Sequence, residues 1–394
     1  MLVTHRVWRR SALGLVALAV LGGTGYAWAQ LSKLDTGITV ADIIPPSAQL
    51  PPGVSPSSVD QNILLVGIDS RTDAQGNPLP QDLLDRLHAG STEDGGDTTD
   101  SIIVVHLPAG GGAATAISIP RDSYVPIAGG LGSHKINSAF SRGKNAAKNQ
   151  LRAQGLSGAE LEKQSSAAGA RSTVETVQQV TGLTINHYAA VNLAGFYSLS
   201  EAIGGVNVCL NNPVNDKWTG ANFPAGEQSL SGADALAFVR QRHGLPSDLD
   251  RIKRQQAFLS GMAKKILSAG TLSDPTKLSN LISAVQGSLV IDKGWDIFSF
   301  AQQLRGLSAG AIEFNTVPVQ ALSMATPSDG DAVKVDLNEI RAFVKQVTGK
   351  SPNGNASTGT GTDSSTSVGR VKNTAQTTTS TEQPVTSNAT GCVN

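Results

Sequence analysis

Six short runs of apolar, strand-favouring residues recur along this chain of 394 residues: Ile63–Ile68, Ile102–Leu107, Ala114–Ile119, Tyr188–Val191, Val206–Leu210 and Ile312–Val317. Between and after them lie stretches with helical spacing: Lys144–Gln154, Ala168–Thr181, Leu193–Ile203, Gly232–Val239, Leu249–Ser268, Lys277–Ser288, Ile297–Leu307 and Asn338–Val347. Strands interleaved with helices predict a layered α/β domain that binds ligands at its strand ends. At 39% hydrophobic and 16% charged the chain can bury a sizeable core, and its length suits one large domain or two modest ones. No internal repeat is visible.

The two ends read differently. Arg6, Arg9 and Arg10 precede Ser11–Ser32, an uncharged stretch long enough to cross a bilayer, and the basic flank sends the rest of the chain outside the cell. Ala27-Trp28-Ala29 resembles a signal-peptidase site, so a cleaved signal peptide is the rival to an uncleaved anchor. The expected organisation is a cytoplasmic N-terminus with anchor over 1–32, a Pro/Ser/Gly-rich linker over 33–60, a folded domain over 61–350 and a tail over 351–394. In that tail 18 of 44 residues are Ser or Thr, too few apolar groups to offset ordering entropy, which predicts disorder. Cys209 and Cys392 encode no disulfide framework and no metal cluster; Cys209 reads as a small buried hydrophobe, and a bridge between the two in an oxidising compartment stays open.

Balanced charge, 31 basic against 31 acidic residues, excludes a general nucleic-acid binder. Within that balance Phe238–Gln256 (FVRQRHGLPSDLDRIKRQQ) concentrates Arg240, Arg242, Arg251, Lys253 and Arg254. Guanidinium groups grip two oxygens at once, so the cluster suggests a pocket for phosphate or pyrophosphate. Arg251, Arg254 and Gln255 can share one helical face, and Arg240 and Arg242 point the same way on extended backbone. A solvated helix face is the plainer alternative, and His243 beside the cluster reads as polar loop surface. Asp69 ends the first run, with Arg71 two residues on; Asp100 opens the second, with Asp97 just before it. Two carboxylates suit Mg²⁺, which completes its shell with water and phosphate oxygens, although aspartates at strand ends are also common turn residues. Arg121 and Asp122 follow the third run, and His134, Lys135 and Asn137 come shortly after.

The ordered set NILLVGIDSR, DTTDSIIVVHL, ISIPRDSYV, HKINSAF, VNLAGF, IGGVNV and LSGADALAFVRQRH followed by DLDRIKRQQ resembles the LytR-CpsA-Psr (LCP) phosphotransferases of bacterial cell-wall assembly, over residues 61–265. The resemblance implies an α/β/α domain of LCP type around a central mixed sheet, behind an N-terminal transmembrane helix. It implies an Mg²⁺-dependent enzyme of the cell membrane, facing outward, that moves a glycan phosphate from a polyprenyl-pyrophosphate carrier to the muramic acid C6 hydroxyl of peptidoglycan. By the family pattern Asp69 and Asp100 match the metal-binding carboxylates. Arg71, Arg121, Lys135, Arg240, Arg242, Arg251 and Gln255 match the pyrophosphate cage, with Asp122 and Arg254 as outer members. High Ala and Gly content fits an actinobacterial member, with arabinogalactan or teichoic acid as the polymer. The general base stays open among Asp122, Asp97 and a metal ligand. Three apolar helices, Leu193–Ile203, Ile266–Leu289 and Ile297–Leu307, are candidates to line a lipid slot, with ordinary core the stronger reading of such stripes. The polar segment Thr72–Thr98, a loop insertion with one short helix near Asp82–His88, is a candidate for substrate choice. A polyprenyl-pyrophosphate hydrolase, a transcriptional attenuator and a non-catalytic wall-binding module are the competing readings.

Overall fold

The run Gln61–Ile68 lacks the alternation of a half-exposed strand because both its faces are covered. A computed structural model describes residues 38–51, 53–91, 96–245, 248–268, 281, 283–284, 286–295, 300, 312–349, 385–386 and 391–394. Its central sheet has eight strands in the order β1 (Thr39–Ala41), β12 (Leu289–Asp292), β7 (His187–Asn192), β2 (Gln61–Ile68), β3 (Thr99–Leu107), β4 (Ala114–Ser118), β13 (Ile312–Thr316) and β16 (Val385–Thr386). The pairs β1/β12, β2/β7 and β4/β13 run parallel and the others antiparallel, so the sheet is mixed.

On one face Leu64, Val66, Ile68, Ile102 and Val104 pack against Phe140 of α2 (Ala139–Ala153), Val174 and Val177 of α3 (Gly158–Thr181), and Ile340 and Val344 of α7 (Leu337–Thr348). On the other, Ile63, Leu65, Ile103 and Val105 meet Trp295, Phe300 and, from α6 (Asp248–Ser268), Leu259. The result is a layered, mixed α/β architecture. Helices α2 and α3 can touch because glycines face each other's backbone and small groups. A Cβ on Gly143 would stand 2.4 Å from Ser172 Cβ, and one on Gly169 2.6 Å from the Phe140 carbonyl oxygen. Both helices begin earlier than the apolar spacing predicts, α2 at Ala139 and α3 at Gly158.

A second core lies beside the sheet. There β8 (Val206–Leu210) pairs with β11 (Gly226–Leu230), the hairpin β9 (Val214–Asp216)/β10 (Ala221–Phe223) folds over, and Val206, Val208, Phe223, Phe238, Phe258 and Met262 pack together. Phe238 belongs to α5 (Gly232–Arg240), which α4 (Leu193–Ala202) supports. Short hairpins β5 (Tyr124–Pro126)/β6 (Ser133–Lys135) and β14 (Ala321–Thr326)/β15 (Gly330–Lys334), and helix α1 (Gln81–Arg86), complete the described elements.

Several boundaries differ from the sequence reading. The fold starts before Gln61: β1 joins the sheet, and Ile43 and Ile44 are buried in the main core, a short strand hidden in Pro- and Ser-rich surroundings. The end of the expected tail is docked rather than loose. Cys392 forms a disulfide with Cys209, and Val393 pairs with Leu210 beside it. The remaining tail, apart from β16, lies outside the described residues, as do the anchor stretch Ser11–Ser32, half of Lys277–Ser288 and most of Ile297–Leu307. Among the described residues no helix is long and apolar enough to cross a membrane.

Candidate active site

At one edge of the sheet, β2 ends where β3 begins. Gly67 faces Ser101 while Ile68 faces Thr99, so Asp100 is the extra residue of a β-bulge, a device that re-aims a side chain. Arg121 Nη1 lies 2.5 Å from Asp100 Oδ1, and Arg121 Nε lies 3.4 Å from Asp122 Oδ2. Lys135 Nζ lies 3.7 Å from the other Asp122 oxygen. Backbone bonds fix the set: Asn137 N–H donates to the Arg121 carbonyl at 3.0 Å, and the Thr99 hydroxyl to the Asn137 carbonyl at 3.3 Å.

Beside it Asp69 pairs with Arg71. Arg71 is buried, and its Nε and Nη2 both donate to the Ala89 carbonyl, at 3.0 and 2.7 Å. Arg240, at the end of α5, donates from Nη1 to the Leu87 carbonyl at 3.0 Å. The segment read as an insertion therefore frames two of the cations through nearby carbonyls. Sequence reasoning missed this role because main-chain oxygens carry no residue signature.

Helix α6 brings the third group. Gln256 Nε2 donates to Ser118 Oγ at 3.1 Å and to Thr316 Oγ1 at 3.0 Å, which pins the helix across the ends of β4 and β13 just before Arg121. Gln255 donates to the Val239 carbonyl at 3.3 Å, joining α6 to α5, and Arg251 is buried on the same helix. Arg254 is a correction to the cage reading. It is 1% exposed, donates to Gln241 Oε1 and to the Asn394 carbonyl, and lies 5.2 Å over the Phe238 ring. Burial holds its pKa down to about 10 against the pull of Asp250. Arg254 thus braces the segment that carries Arg240 and Arg242 and does not face the open site. Arg242 is exposed on that segment. His243 has partners after all: Asp216 at 3.4 Å and the ring of Trp218.

Asp97, a candidate base, is engaged by the buried ammonium of Lys144 at 2.5 Å, and Lys144 also pairs with Glu162. Asp97 lies at the mouth of an apolar slot between the sheet and α3. Ile43, Ile68, Tyr188, Ala190 and Val290 form its sheet wall, and Phe140, Ala167 and Ala170 its helix wall. Its polar lining includes Ser70, Thr72, Asp73 and Asn192 with Asp97, and Ser70 is flanked by Asp69 and Arg71 in sequence. The slot has a volume of about 70 Å³ and shares Ala41, Lys163 and Ala167 with a wider cavity of about 420 Å³ between α2, α3 and β1. Leu193–Ile203 does not line this slot; it packs against α5 as core. The Tyr188 hydroxyl, without a hydrogen-bond partner among the described residues, is buried in the sheet wall, and burial raises its pKa well above the usual phenol value.

Residues 47–346 match the sequence profile described as the LytR_cpsA_psr family. The chain is 42% identical over 348 residues to the cell wall biosynthesis protein LcpA of Corynebacterium glutamicum, covering 88% of this chain and 66% of LcpA. It is 33% identical to the probable cell wall biosynthesis protein LcpB of the same organism, covering 79% of this chain and 64% of LcpB. It therefore spans just under two thirds of the length of either relative. A polyisoprenyl-teichoic acid–peptidoglycan teichoic acid transferase, TagU of Bacillus cereus, is 27% identical over 70% of this chain and 75% of its own. The fold is that of Bacillus subtilis TagV, with a TM-score of 0.53 at 23% identity over 75% of this chain and 99% of TagV. With the family profile spanning most of the folded residues and LcpA at 42% identity, this chain belongs to the LytR_cpsA_psr family.

Proposed function

We propose that this protein is a cell-wall glycopolymer ligase that transfers a glycan phosphate from a polyprenyl-pyrophosphate carrier to the muramic acid C6 hydroxyl of peptidoglycan. One observation carries the reading: an apolar slot lined by Ser70, the residue between Asp69 and Arg71, lies beside strand ends that carry Arg71, Arg121 and Lys135 with their aspartate partners. That is the shape of a ligand with an apolar chain and a polyanionic head. The names of LcpA and TagU as cell-wall proteins support it. The slot is narrow for an isoprenoid chain, so occupancy requires α3 to part from the sheet.

In the transfer the acceptor oxygen bonds to the sugar-proximal phosphorus, and the bond from that phosphorus to the bridging oxygen breaks. Polyprenyl phosphate leaves with the electron pair. Such a reaction asks for positioning and charge neutralisation more than for covalent chemistry. Arg71, Arg121, Lys135 and Arg240 are held before substrate arrives, so their charge stabilises the departing phosphate without reorganisation. With Asp97 taken by Lys144, Asp122 and the bulge-side carboxylates are the candidates for accepting the hydroxyl proton.

Asp69 and Asp100 fit an Mg²⁺ site. They are adjacent strand-end carboxylates, 21% and 32% exposed. Among the described residues no group of three or more metal-binding side chains is arranged as a full cage, so the ion's other positions would fall to water and phosphate oxygens, its usual preference. Bound there it would supply further neutralisation of the diphosphate. The Cys209–Cys392 disulfide supports an oxidising compartment, in line with an anchored enzyme whose domain lies outside the cell.

The test is purified protein with Mg²⁺, a polyprenyl-pyrophosphate glycan and peptidoglycan oligomers. Phosphodiester-linked glycan on muramic acid is the expected product. Free glycan phosphate alone would replace the ligase reading with a hydrolase.

A further inference from the structure

Among the described residues Trp218 is the most exposed large apolar side chain, at 75%, and it is built into place rather than left loose. It stands in the turn between β9 and β10. The carboxylate of Asp216, 2% exposed, organises that turn: its Oδ1 accepts the Trp218 N–H at 3.0 Å, and its Oδ2 accepts the Thr219 hydroxyl at 3.0 Å. The same carboxylate lies 3.4 Å from His243 Nδ1, and the imidazole stacks on the indole with ring centres 5.7 Å apart and planes 29° from parallel. Gln241 Nε2 donates to the His243 carbonyl at 2.8 Å, so the imidazole is fixed from its own backbone as well. One face of the indole is thereby supported, and most of its surface stays open to solvent.

The location ties this shelf to the cationic mouth. His243 follows Arg242 directly. Gly220, in the same turn, approaches His88 so closely that a Cβ there would lie 2.8 Å from its ring. Arg240 reaches the carbonyls of Leu87 and His88, at 3.0 and 3.5 Å. The shelf and the cage share one loop as their footing.

Single exposed apolar side chains are ordinary on protein surfaces; here a buried carboxylate fixes the turn that carries Trp218, and an imidazole backs its ring. A fixed flat indole backed by the imidazole of His243, in a turn whose sequence carries Lys217, is a poor seat for a lipid or an apolar helix. It suits a ring that is apolar across its face and hydroxylated round its rim. We propose that Trp218, seated on His243, is a saccharide platform that stacks the C–H face of a pyranose ring next to the diphosphate site. The inference rests on the ligase reading and deepens it by naming a residue that binds sugar. Both the donor glycan and the peptidoglycan acceptor carry pyranose rings.

The experiment measures equilibrium binding of two probes to the full chain, with no turnover. One probe is a soluble N-acetylglucosamine–N-acetylmuramic acid oligomer; the other is the donor glycan pyrophosphate on a short, water-soluble prenyl chain. Trp218→Ala should weaken at least one probe by about fivefold to tenfold, the size of one aromatic contact, whereas Trp218→Phe stays within about twofold. Melting temperatures of both variants should match that of the parent protein, since the indole is not in the core. Loss for the oligomer alone assigns the platform to the acceptor, loss for the pyrophosphate alone to the donor, and either supports the proposal. Unchanged binding of both probes by Trp218→Ala, or no binding of either by the parent protein, overturns it. Failure of the ligase reading itself would show separately, as absent transfer by the parent protein.

Discussion

Arg71 and Arg240, far apart in sequence, are held by one short loop: Arg71 donates twice to the carbonyl of Ala89, and Arg240 donates to that of Leu87. Two long side chains thus have their rotamers settled before any ligand arrives. The entropy of fixing them is met during folding, which leaves more of the ion-pair energy for binding.

Arg71→Lys keeps the charge but cannot reproduce the forked contacts to Ala89 and Asp69. Transfer activity should fall at least about tenfold, with the folded state retained as judged by circular dichroism. Arg242→Lys, on the exposed rim, should impair activity through the same loss of a bidentate grip. Near-normal rates in both variants would contradict a guanidinium cage.

Ala170 lines the slot from α3. A phenyl group placed there occupies the space between helix and sheet. Ala170→Phe should depress transfer from a long-chain polyprenyl donor by about tenfold or more while sparing a short-chain donor, because only the former needs the slot. Equal loss for both donors would indicate general misfolding instead, and no loss for either would place the lipid elsewhere.

Asp329, in the β14–β15 turn, steadies the strand that carries Lys135. It accepts the Lys135 N–H at 3.0 Å and pairs with His134 Nδ1 at 2.9 Å, with Arg142 at 3.5 Å. Burial alone would raise its pKa, but the hydrogen bonds from Lys135, His134 and Ser328 outweigh burial and hold it below the usual carboxylate value. A carboxyl with a depressed folded pKa contributes stability that is present above the unfolded value and is lost as pH falls through the folded one. Asp329→Asn should therefore melt lower than the parent protein near neutrality, and the gap should narrow as pH falls through and below the usual carboxylate range. A constant gap across that range would show that the charge plays no part.

The Cys209–Cys392 bridge closes a separation of 183 residues and sets the Asn394 carbonyl against Arg254. Cys392→Ser, or reduction, should lower stability by at most about 5 kcal/mol, the chain-entropy limit for a loop of that size. It should also loosen the bracing of Arg254 and raise hydrogen exchange in α6. Identical melting curves with and without reductant would mean that the bridge contributes little.

Much of the fold was legible because buried sheet strands advertise themselves. QNILLVGI and TDSIIVVHL are apolar on both faces, and their neighbours β4, β7 and β13 could be named from composition alone. Strands such as Thr39–Ala41 and the hairpins β9/β10 and β14/β15 were not, since two or three residues carry no period and the β14/β15 pair is largely exposed. In the candidate site Asp69 pairs with Arg71, and Asp100, Arg121, Asp122 and Lys135 form one chain of ion pairs at neighbouring strand exits. Arg254 misled because a helical face does not say which part of it is covered: Phe238 and Gln241 lie over that side. The slot was not legible for a related reason: its helix wall includes alanines of α3, whose small side chains leave room rather than fill it, while Leu193–Ile203 is core, the stronger reading of an apolar helical stripe.

Photo-cross-linking tests the central claim most directly. Purified protein with Mg²⁺ is irradiated with a polyprenyl pyrophosphate bearing a photoreactive group on its chain, and the labelled peptides are sequenced. Labels on α3 around Ala167 and Ala170 and on β7 around Tyr188, suppressed by Arg71→Lys and by excess unlabelled donor, are the predicted result. Labels on Leu193–Ala202 instead, or labelling that ignores the arginine cluster, would contradict the account.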